Sequence, residues 1–430
     1  MTTRFWVLLG CMYGLLFLGL ATLQGGLIVL AIPLLLYLGT AIFYAPRQVK
    51  LVPEREIDVH LVESGTPVAV QVTLRNEGEP IDEIYLADHI PPQAECIQGA
   101  AEMLAPLAQD ETLQCNYTLR CERGRHALKG LSVEVNEHFA VFQQRFFFPA
   151  SVEFQTLPDT PRLKRLHICP RQTRGFSGSI PARQSGSGMS FWGVREYQLG
   201  DPLRRINWKV SARQRQNLFT NDFEQERIAD VGLILDARQQ TNNTVGEKTL
   251  FEHSVRAVAA LADIFLTDGH RVSLLTYGFG LRRVFPGYGK IQRERILQAL
   301  AKVEVGSNYA LESLDYLPTR LFPARSQLVV ISPLGMRDYP TFVRLCKDGY
   351  SVLLISPDPV SFEAQAFRSA PEVEQAARLA HLERNLLLRR LIHLGVQVVD
   401  WQVGQPFEQV VYAALGRQFQ SQRNPKMVSL

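Results

Sequence analysis

The sequence lacks the patterns that mark cysteine-based sites. Its six cysteines are scattered through 430 residues, and no two of them form a CxxC pair, so neither a zinc knuckle nor a redox pair is indicated. Isolated thiols without a disulfide framework are typical of a reducing compartment. A strong excess of one charge is also missing, because the formal net charge is only +4. A dedicated nucleic-acid-binding protein is usually far more basic, so we expect no nucleic-acid partner.

Complete motifs for nucleophilic catalysis and phosphate binding are absent too. The segment GFSGS, residues 175–179, ends in Ser where the nucleophile motif GxSxG requires Gly. The segment GYGK, residues 287–290, lacks the first Gly of a phosphate-binding loop, and Ile291 follows its Lys. No nucleophile has a base nearby, and His167 and His253 are isolated. We therefore expect no catalytic residues and no cofactor.

Long apolar runs, by contrast, are present near the N-terminus. Residues 5–22 and 27–44 carry no charge, and each run has 18 residues, within the roughly 17–25 that span a bilayer. Only the segment LQGG separates them. A cleavable signal peptide with a small-residue site at residues 19–21 is the alternative, but the second run follows at once. We therefore predict a transmembrane hairpin over residues 1–45.

Cations flank the outer ends of this hairpin. Arg4 precedes the first run, and Arg47, Lys50 and Arg55 follow the second, whereas the connecting turn carries no charge. Lys and Arg concentrate on the cytoplasmic side of membrane-spanning segments. We therefore expect both ends of the hairpin, and all that follows it, to lie in the cytosol.

Residues 46–160 show the periodicity of β-strands. Apolar and polar side chains alternate over residues 68–75, and the turn residues RNEGEP close this segment. Similar short runs recur without a long helical pattern, which predicts a β-sandwich of about seven strands. Phe146 and Phe148 share one strand face and Phe147 lies on the other. We interpret these aromatics as core and interdomain contacts rather than as a binding platform.

The periodicity changes at Asp230. The run VGLILD is apolar throughout, as a strand buried on both faces requires, and a helix with an apolar stripe is predicted over residues 247–266. Further strands and helices alternate to residue 418, which predicts a parallel sheet with helices on both faces and a polar tail over residues 419–430. Gly349 and Gly395 fall between a helix and the next strand, where helices end on glycine.

Residues 161–216 combine a Gly/Ser-rich segment, interpreted as a loop, with a long motif. The motif reads G-x-R-x-Y-x-x-G-D-x-x-R-x-I-x-W-x-x-S-A-R and places Gly193, Arg195, Tyr197, Gly200, Asp201, Arg204, Ile206, Trp208, Ser211 and Arg213. It resembles the signature of the bacterial domain-of-unknown-function 58 family. The turn RGRHALKG at residues 123–130 is similar to that family as well, whereas EHFAVF replaces an Asp-Pro-Phe-Gly-Leu-Phe type of segment.

The resemblance implies an architecture and a role. Members of the family carry an N-terminal membrane hairpin, a β domain and a domain similar to von Willebrand factor A domains. They are commonly encoded beside MoxR-type AAA+ ATPases, are thought to help assemble or activate other proteins, and have no established enzymatic activity. The resemblance therefore implies a non-enzymatic protein-interaction factor in the bacterial inner membrane, with an AAA+ ATPase as partner.

The resemblance also bears on metal binding. Von Willebrand A domains that bind Mg²⁺ use Asp-x-Ser-x-Ser after the first strand, a Thr on a second loop and an Asp on a third. Here Arg238 follows Asp236 closely, Ser307 lies on the second loop, and Pro333 follows Ser332 where an Asp is expected. One carboxylate beside an Arg is a poor site for Mg²⁺. We therefore expect a degraded, metal-free site at Asp236, Ser307 and Ser332.

Two functions remain open for this edge of the sheet. The loops near Asp236 either present a surface to a protein partner or serve a metal-dependent hydrolase or phosphate-binding enzyme. Two or more carboxylates that converge on Asp236 would favour an enzyme, whereas a salt bridge from Arg238 would favour the binding protein.

The cations of the motif allow three interpretations. Asp201 is predicted to cap a helix that starts at Pro202, so that Arg205, Lys209 and Arg213 form a basic stripe. In the first interpretation the stripe pairs with Asp222, Glu224 and Glu226. Trp208 and Tyr197 then pack between loop and sheet, and the motif is a structural joint. The others are a docking surface for an acidic protein and a phosphate or nucleotide site, which Asp201 at the helix N-terminus disfavours.

Overall fold

The structure is a computed structural model that describes residues 3–23, 25–44, 48–136, 143–163, 180–214, 217–246, 248–278, 280–307, 322–364 and 371–414. The side chains of residues 44, 180–190, 192, 223–227 and 248 lie outside that description. The chain forms two compact units, Met1–Leu157 and Pro158–Leu430, and each has a hydrophobic core of its own.

The first unit begins with two antiparallel candidates for membrane spans, α1 (Thr3–Ala21) and α2 (Gly25–Tyr44). They pack together through a small cluster that includes Phe5, Leu38 and Ala41. Both are long and apolar enough to cross a membrane, and most of their large apolar side chains are exposed. Helices can span a bilayer because their backbone groups are paired internally. The two helices therefore support the predicted membrane association.

Short strands make up the rest of the first unit. They are β1 (Leu51–Ile57), β2 (Leu61–Glu63), β3 (Pro67–Asn76), β4 (Ile81–Asp88), β5 (Ala94–Gly99), β6 (Glu102–Leu107), β7 (Thr112–Cys121), β8 (Gly124–Leu128), β9 (Leu131–Asn136), β10 (Gln143–Phe148) and β11 (Val152–Leu157). Two four-stranded antiparallel sheets, β1-β3-β7-β5 and β10-β9-β4-β6, accompany a small sheet, β2-β11-β8. Alternate side chains of both large sheets enter one core, as the period-two pattern predicts.

A buried polar network joins the strands of this unit. Arg55 of β1 forms an ion pair with Asp88 of β4 at 2.5 Å, and both side chains are almost completely buried. The hydroxyl of Tyr117 donates to the same carboxylate at 2.5 Å. Burial raises the pKa of Asp88, although Tyr117 and Arg55 act in the opposite direction. Arg55, which we counted among the cations that follow the second apolar run, therefore neutralises a core acid in the folded unit.

The second unit contains the remaining elements. Its strands are β12 (Ile180–Glu196), β13 (Phe219–Arg227), β14 (Asp230–Asp236), β15 (Thr244–Val245), β16 (Lys248–Thr249), β17 (Arg271–Tyr277), β18 (Leu281–Gly287), β19 (Gln327–Ile331), β20 (Ser351–Pro357) and β21 (Gln397–Trp401). Its helices are α3 (Trp208–Ser211), α4 (Leu250–Thr267), α5 (Gly289–Ala301), α6 (Tyr339–Lys347), α7 (Pro359–Ala364) and α8 (Pro371–His393). Residues 407–414 are also helical.

Six of these strands form one sheet in the order β18-β17-β14-β19-β20-β21. The pairs are parallel except for the edge strand β18. Counted along the chain, the order is 3-2-1-4-5-6, that of a doubly wound sheet. Helices α6 and α8 pack on one face with Ile234, and α4 packs against β14 and β17 outside that cluster. The direction of the chain reverses between β14 and β19, which is where such sheets bind ligands.

Local predictions for this sheet are confirmed. The stripe of α4, which includes Phe251, Val258 and Phe265, is buried. Gly349 and Gly395 adopt φ values of +84° and +92°, the left-handed conformation that ends a helix. The loop predicted before the motif was wrong from Ile180 onward, because that segment forms β12 and pairs with β13 through several register shifts. Glycine and serine give this strand no apolar alternation by which it could be detected.

Candidate functional site

The candidate site lies at the carboxyl edge of the six-stranded sheet. Asp236 is the last residue of β14, and Ser332 directly follows the neighbouring strand β19. Both side chains are buried, and the Ser332 hydroxyl donates to Asp236 Oδ2 at 2.6 Å. The parallel register of β14 and β19 brings these two residues together. Two of the three residues of the predicted site therefore meet.

Arg238 lies between two carboxylates at this edge. Its Nε and Nη2 donate to the two oxygens of Asp236 at 2.9 and 2.7 Å. Its Nη1 and Nη2 donate to the two oxygens of Asp338 at 2.9 and 2.8 Å. Only 5% of the Arg238 side chain is exposed. The guanidinium thus makes a two-pronged contact with each acid, the geometry in which arginine binds carboxylates best.

The electrostatics keep this arginine charged. Burial lowers the pKa of Arg238, but hydrogen bonds and attraction from Asp236 and Asp338 outweigh it, so that the net direction is upward. A buried pair whose partner is removed is costly, because one charge remains in the interior without its counter-ion. Arg238 is therefore the cation on which the burial of both acids depends.

Further donors occupy the remaining oxygen lone pairs. Thr241 Oγ1 and the Arg238 amide donate to Asp236 at 3.0 Å each. The Gly335 amide donates to Asp338 Oδ2 at 2.8 Å, within a 3-10 turn over Met336–Asp338. Asp338 was missed by sequence reasoning because it follows its strand by several residues. Its position just before Tyr339 and Pro340, where helices begin, was the available indication.

The donor set can be compared with the needs of a divalent ion. Asp236, Asp338, Ser332 and Thr241 supply the oxygen atoms that Mg²⁺ prefers. However, Arg238 Nη2 lies within 2.8 Å of an oxygen from each acid, in the position that a bridging cation would take. As arranged, these residues do not fit a metal ion. Within the described ranges, no group of three His, Cys, Asp or Glu side chains is arranged to hold one.

Ser307 does not join this buried network. Its side chain is exposed, and its neighbour Gly306 instead forms backbone hydrogen bonds with Ala237 and Gln239. Asn308, the next residue of that loop, lies outside the described residues. The second loop therefore supports the backbone around Arg238, whereas the side chain of Ser307 points away from the network.

A second buried arginine closes the same edge. Arg384 of α8 donates to the carbonyl oxygens of Pro333 and Ser356 at 3.0 Å each and to Asp400 Oδ1 at 2.7 Å. Pro333 stands where the resemblance led us to expect a metal-binding Asp, and its carbonyl is held by this arginine. Arg384 shares the buried helix face of Leu387 and Leu391. A charged residue at apolar spacing was the indication that sequence reasoning overlooked.

The motif of residues 193–213 is a separate feature of the same unit. Arg195 Nη1 and Nη2 donate to the two Asp201 oxygens at 2.8 and 2.7 Å, and the Gln198 amide donates to Asp201 Oδ2 at 3.0 Å. The hydrogen bond from Arg195 lowers the pKa of Asp201. Gly200 has a φ of +108° in the enclosed turn, a conformation that favours glycine. Asp201 therefore closes a turn, and its predicted role as helix N-cap was wrong.

Polar residues hold the second half of the motif against β13. Asn207 is the N-cap of α3, because its Oδ1 accepts from the Val210 amide at 3.1 Å. Its Nδ2 donates to Asn221 Oδ1 at 2.7 Å, and Ser211 Oγ accepts from the Phe219 amide at 2.9 Å. The Tyr197 hydroxyl donates to the Asp201 carbonyl at 3.4 Å. Arg195 Nε also lies 3.8 Å from Asp222.

Several side chains of the motif point to solvent. Trp208 is 66% exposed and Leu203 is 70% exposed, and Arg204 is exposed as well. The prediction that Trp208 packs between loop and sheet was therefore wrong. The helix α3 has a single turn whose orientation is fixed by Asn207 and Ser211, and this orientation leaves the indole outside.

Among the described side chains, the predicted pairing of the basic stripe is absent at two of its three cations. Lys209 and Arg213 are exposed, and no acid among the described residues lies within ion-pair distance of either. Asp222 lies near Arg195 instead, whereas the side chains of Glu224 and Glu226 fall outside the described residues. The anchoring residues and the exposed residues of the motif are therefore different sets.

Comparisons with known proteins support the family resemblance of the motif. Residues 193–359 match the family described as protein of unknown function DUF58. The uncharacterised protein YeaD of Bacillus subtilis is 27% identical over 260 residues, which are 59% of this chain and 62% of that protein. The chain thus spans less than two thirds of the length of this relative.

Two solved structures are each similar to about a quarter of this chain. A PapD-like domain of human CEP192 is 16% identical over 24% of this chain and 84% of its own, with a TM-score of 0.18. A CARDB domain from Pyrococcus furiosus is 12% identical over 26% of this chain and 90% of its own, with a TM-score of 0.19. The match over residues 193–359, together with the YeaD relative, supports the resemblance of this chain to the DUF58 family.

Proposed function

We propose that this protein is a membrane-anchored, non-enzymatic interaction factor that acts on other proteins together with an AAA+ ATPase. The observation that carries the proposal is the Arg238 guanidinium, which lies between Asp236 and Asp338 at the point where the sheet reverses direction. Open α/β sheets bind their ligands at this point. Here a cation of the chain itself fills the position, which favours a surface for a protein over a site for a small substrate.

The rim around this closed centre is the proposed binding surface. Gln239, Ser307, Met336 and Arg337 are exposed there. Met336 and Arg337 belong to the turn whose last residue, Asp338, is held by Arg238. Methionine and arginine are enriched at protein interfaces, and a surface held in one conformation loses little entropy on binding. Arg238 therefore supports the rim without contacting the partner.

The finer assignments follow from the family resemblance. We propose that the α/β unit is of the von Willebrand A type, which is supported by the doubly wound order and by Asp236 at the end of its first strand. The partner class, a MoxR-type AAA+ ATPase, is implied by that resemblance. A bacterial inner membrane, with the β domain and the α/β unit in the cytosol, is proposed from Arg4 before α1 and Lys50 after α2.

Site-specific crosslinking tests the proposed surface. A photoreactive amino acid replaces Met336 in the full chain, which is purified in mild detergent and mixed with a MoxR-type ATPase. A matched substitution at Tyr288 is the control, because Tyr288 is also exposed but follows Gly287, which pairs with Val272 at the amino edge. We expect a crosslink from position 336 and none from position 288. Equal crosslinking from both, or none from 336, would contradict the proposal.

A metal-dependent hydrolase is the second candidate, and one observation favours it. Asp338 joins Asp236, Ser332 and Thr241 at one place, so that two carboxylates do converge. A divalent ion would have to displace Arg238 from both. Calorimetry of the full protein with Mn²⁺ decides between the candidates: micromolar binding that Asp236→Asn abolishes would favour the enzyme.

A further inference from the structure

The exposed part of the motif has an unusual composition. We define the signature surface as Leu199, Leu203 and Trp208 together with Arg204, Lys209 and Arg213. Leu199 is fully exposed and the other two apolar side chains are mostly exposed, within ten residues of one another along the chain. All three cations are exposed too. Large apolar side chains and cations thus occur together on one short segment.

This exposure is built into the segment rather than caused by loose ends. The Arg195–Asp201 pair closes the turn that carries Leu199. Asn207 and Ser211 bind the next part of the segment to β13, and the side chain of Ile206 is buried. Apolar side chains held in solvent by a fixed scaffold are typical of surfaces that bind a partner.

The chemistry of the surface indicates which partner. Tryptophan favours the interfacial layer of a bilayer, where an indole has both apolar and polar neighbours, and leucine inserts beside it at the headgroup–acyl boundary. Arginine and lysine extend their apolar stems along such a surface and place their charges among phosphate groups. The acid within the segment, Asp201, is bound to Arg195, so the outward charge is positive. An anionic bilayer offers both required features at once.

The same chain also carries two candidate spans of a bilayer. Helices α1 and α2 are long and apolar enough to span one, and a tether makes a second, weak contact intramolecular. We propose that the signature surface docks on anionic lipid headgroups of the membrane that holds the hairpin. The proposal rests on the membrane anchoring of the proposed function. It leaves the rim around Arg238 for the protein partner.

Two tryptophans allow the anchor and the docking to be measured separately. The full chain is reconstituted in vesicles of phosphatidylcholine alone or of an equal mixture with phosphatidylglycerol, each with bromine-labelled acyl chains that quench nearby indoles. Emission that Trp208→Phe removes belongs to Trp208, and emission that Trp6→Phe removes belongs to Trp6 in α1. Trp208 is exposed, so its replacement should leave the fold intact.

We expect quenching of Trp208 in the anionic vesicles and much less in the neutral ones. Each neutralised cation should lower the docked-to-undocked ratio roughly fivefold, so Arg204→Gln, Lys209→Gln and Arg213→Gln together should abolish the quenching. Molar salt should have the same effect, because it screens exposed charges. The matched control replaces Arg256, Arg295 and Lys347, which are exposed elsewhere in the same unit, with Gln. It changes the net charge equally and should leave Trp208 quenched.

The outcomes separate the two claims. Quenching of Trp6 without quenching of Trp208 in anionic vesicles would confirm the anchor and overturn the docking proposal. If the triple variant then lost an acidic protein partner instead, the surface would be a protein-binding site. Absence of Trp6 quenching would overturn the anchoring itself, and with it the proposed function. Equal quenching of Trp208 in neutral and anionic vesicles would exclude recognition of anionic headgroups.

Discussion

Two arginine-containing segments of the second unit differ in the burial of their cations. At the carboxyl edge of the sheet, Arg238 is buried and contacts both oxygens of two acids. In the motif, Lys209 and Arg213 are exposed beside the indole of Trp208. We had expected the cations of the stripe to be paired, and we had left open whether Arg238 forms a salt bridge with Asp236. Arg238 follows a strand end and reaches Asp338 in a turn beside it, whereas α3 is a one-turn helix next to a separate two-stranded sheet.

Because of this difference, we expect one segment to contribute to the stability of the fold and the other to the binding of a partner. A buried cation between two acids contributes chiefly to folding, because its removal leaves charges without a counter-ion. Exposed cations contribute little to folding, because water and salt screen them, and they remain available to a partner. Substitutions at the two segments should therefore have effects of very different size.

The largest effect is expected at Arg238. Arg238→Ala leaves Asp236 and Asp338 buried without their shared cation, and we expect a loss of about 3–5 kcal/mol in the free energy of unfolding. Arg238→Lys should recover only part of this loss, because an ammonium cannot contact four carboxylate oxygens at once. Denaturant unfolding of the full chain in detergent, followed by the fluorescence of the buried Trp401, measures both. Arg256→Ala, which removes an exposed cation, is the control.

The same variant tests whether the guanidinium excludes a metal ion. In Arg238→Ala the oxygens of Asp236, Asp338 and Ser332 are released toward a common point, so Mn²⁺ should raise the melting temperature of this variant and not that of the wild type. Equal stabilisation of both proteins would show that the ion binds without displacing Arg238. The buried guanidinium would then not exclude a metal ion.

Sequence patterns predicted the elements of this unit better than its contacts. The α4 stripe and the apolar run of β14 are local features, so their burial was foreseen. The pairing of Arg238 with Asp338 joins residues 100 positions apart, and only the register of the sheet brings them together. The exposure of Trp208 depends on how Asn207 and Ser211 attach α3 to β13, and no local pattern contains that information. Family resemblance did not help there, because it supplies residue identities and no orientation.

Next in size is the pH dependence that arises from His270. This side chain is buried, its Nδ1 accepts from the Ala229 amide at 3.4 Å, and burial lowers its pKa from 6.5 to about 4. Below pH 6.5 the unfolded chain binds a proton that the folded chain does not, so stability falls as the pH falls toward 4. The loss approaches about 3 kcal/mol and then levels off. His270 thus shows how burial disfavours the charged form of a side chain.

Unfolding titrations between pH 7 and 4 check this expectation. His270→Asn keeps an acceptor near the Ala229 amide but cannot be protonated in this range, so its unfolding free energy should change less with pH than that of the wild type. His393→Asn, at an exposed position near the end of α8, should follow the wild type. Parallel curves for the wild type and His270→Asn would show that His270 is charged in the fold.

A smaller and local effect is expected at Arg195. Arg195→Ala removes the pair with Asp201 that closes the turn at Gly200, while the sheet and its core remain. Hydrogen exchange of the Gln198 amide, which donates to Asp201, should become roughly tenfold faster. The amides of β14 should exchange as before. Faster exchange throughout β14 would mean that the motif supports the sheet, as the structural-joint interpretation requires.

The smallest effect on folding is expected at Trp208. This effect decides most directly whether the motif is an exposed surface or a packed joint. Trp208→Ala should change the free energy of unfolding by no more than about 0.5 kcal/mol, because the indole is exposed. The same substitution at Trp401, which is 3% exposed, should cost about 3–5 kcal/mol. Denaturant titrations of both variants in detergent provide the measurement. A loss at Trp208 that approached the loss at Trp401 would show that the motif is a packed joint, and the cations beside it would then be part of the fold rather than of a docking surface.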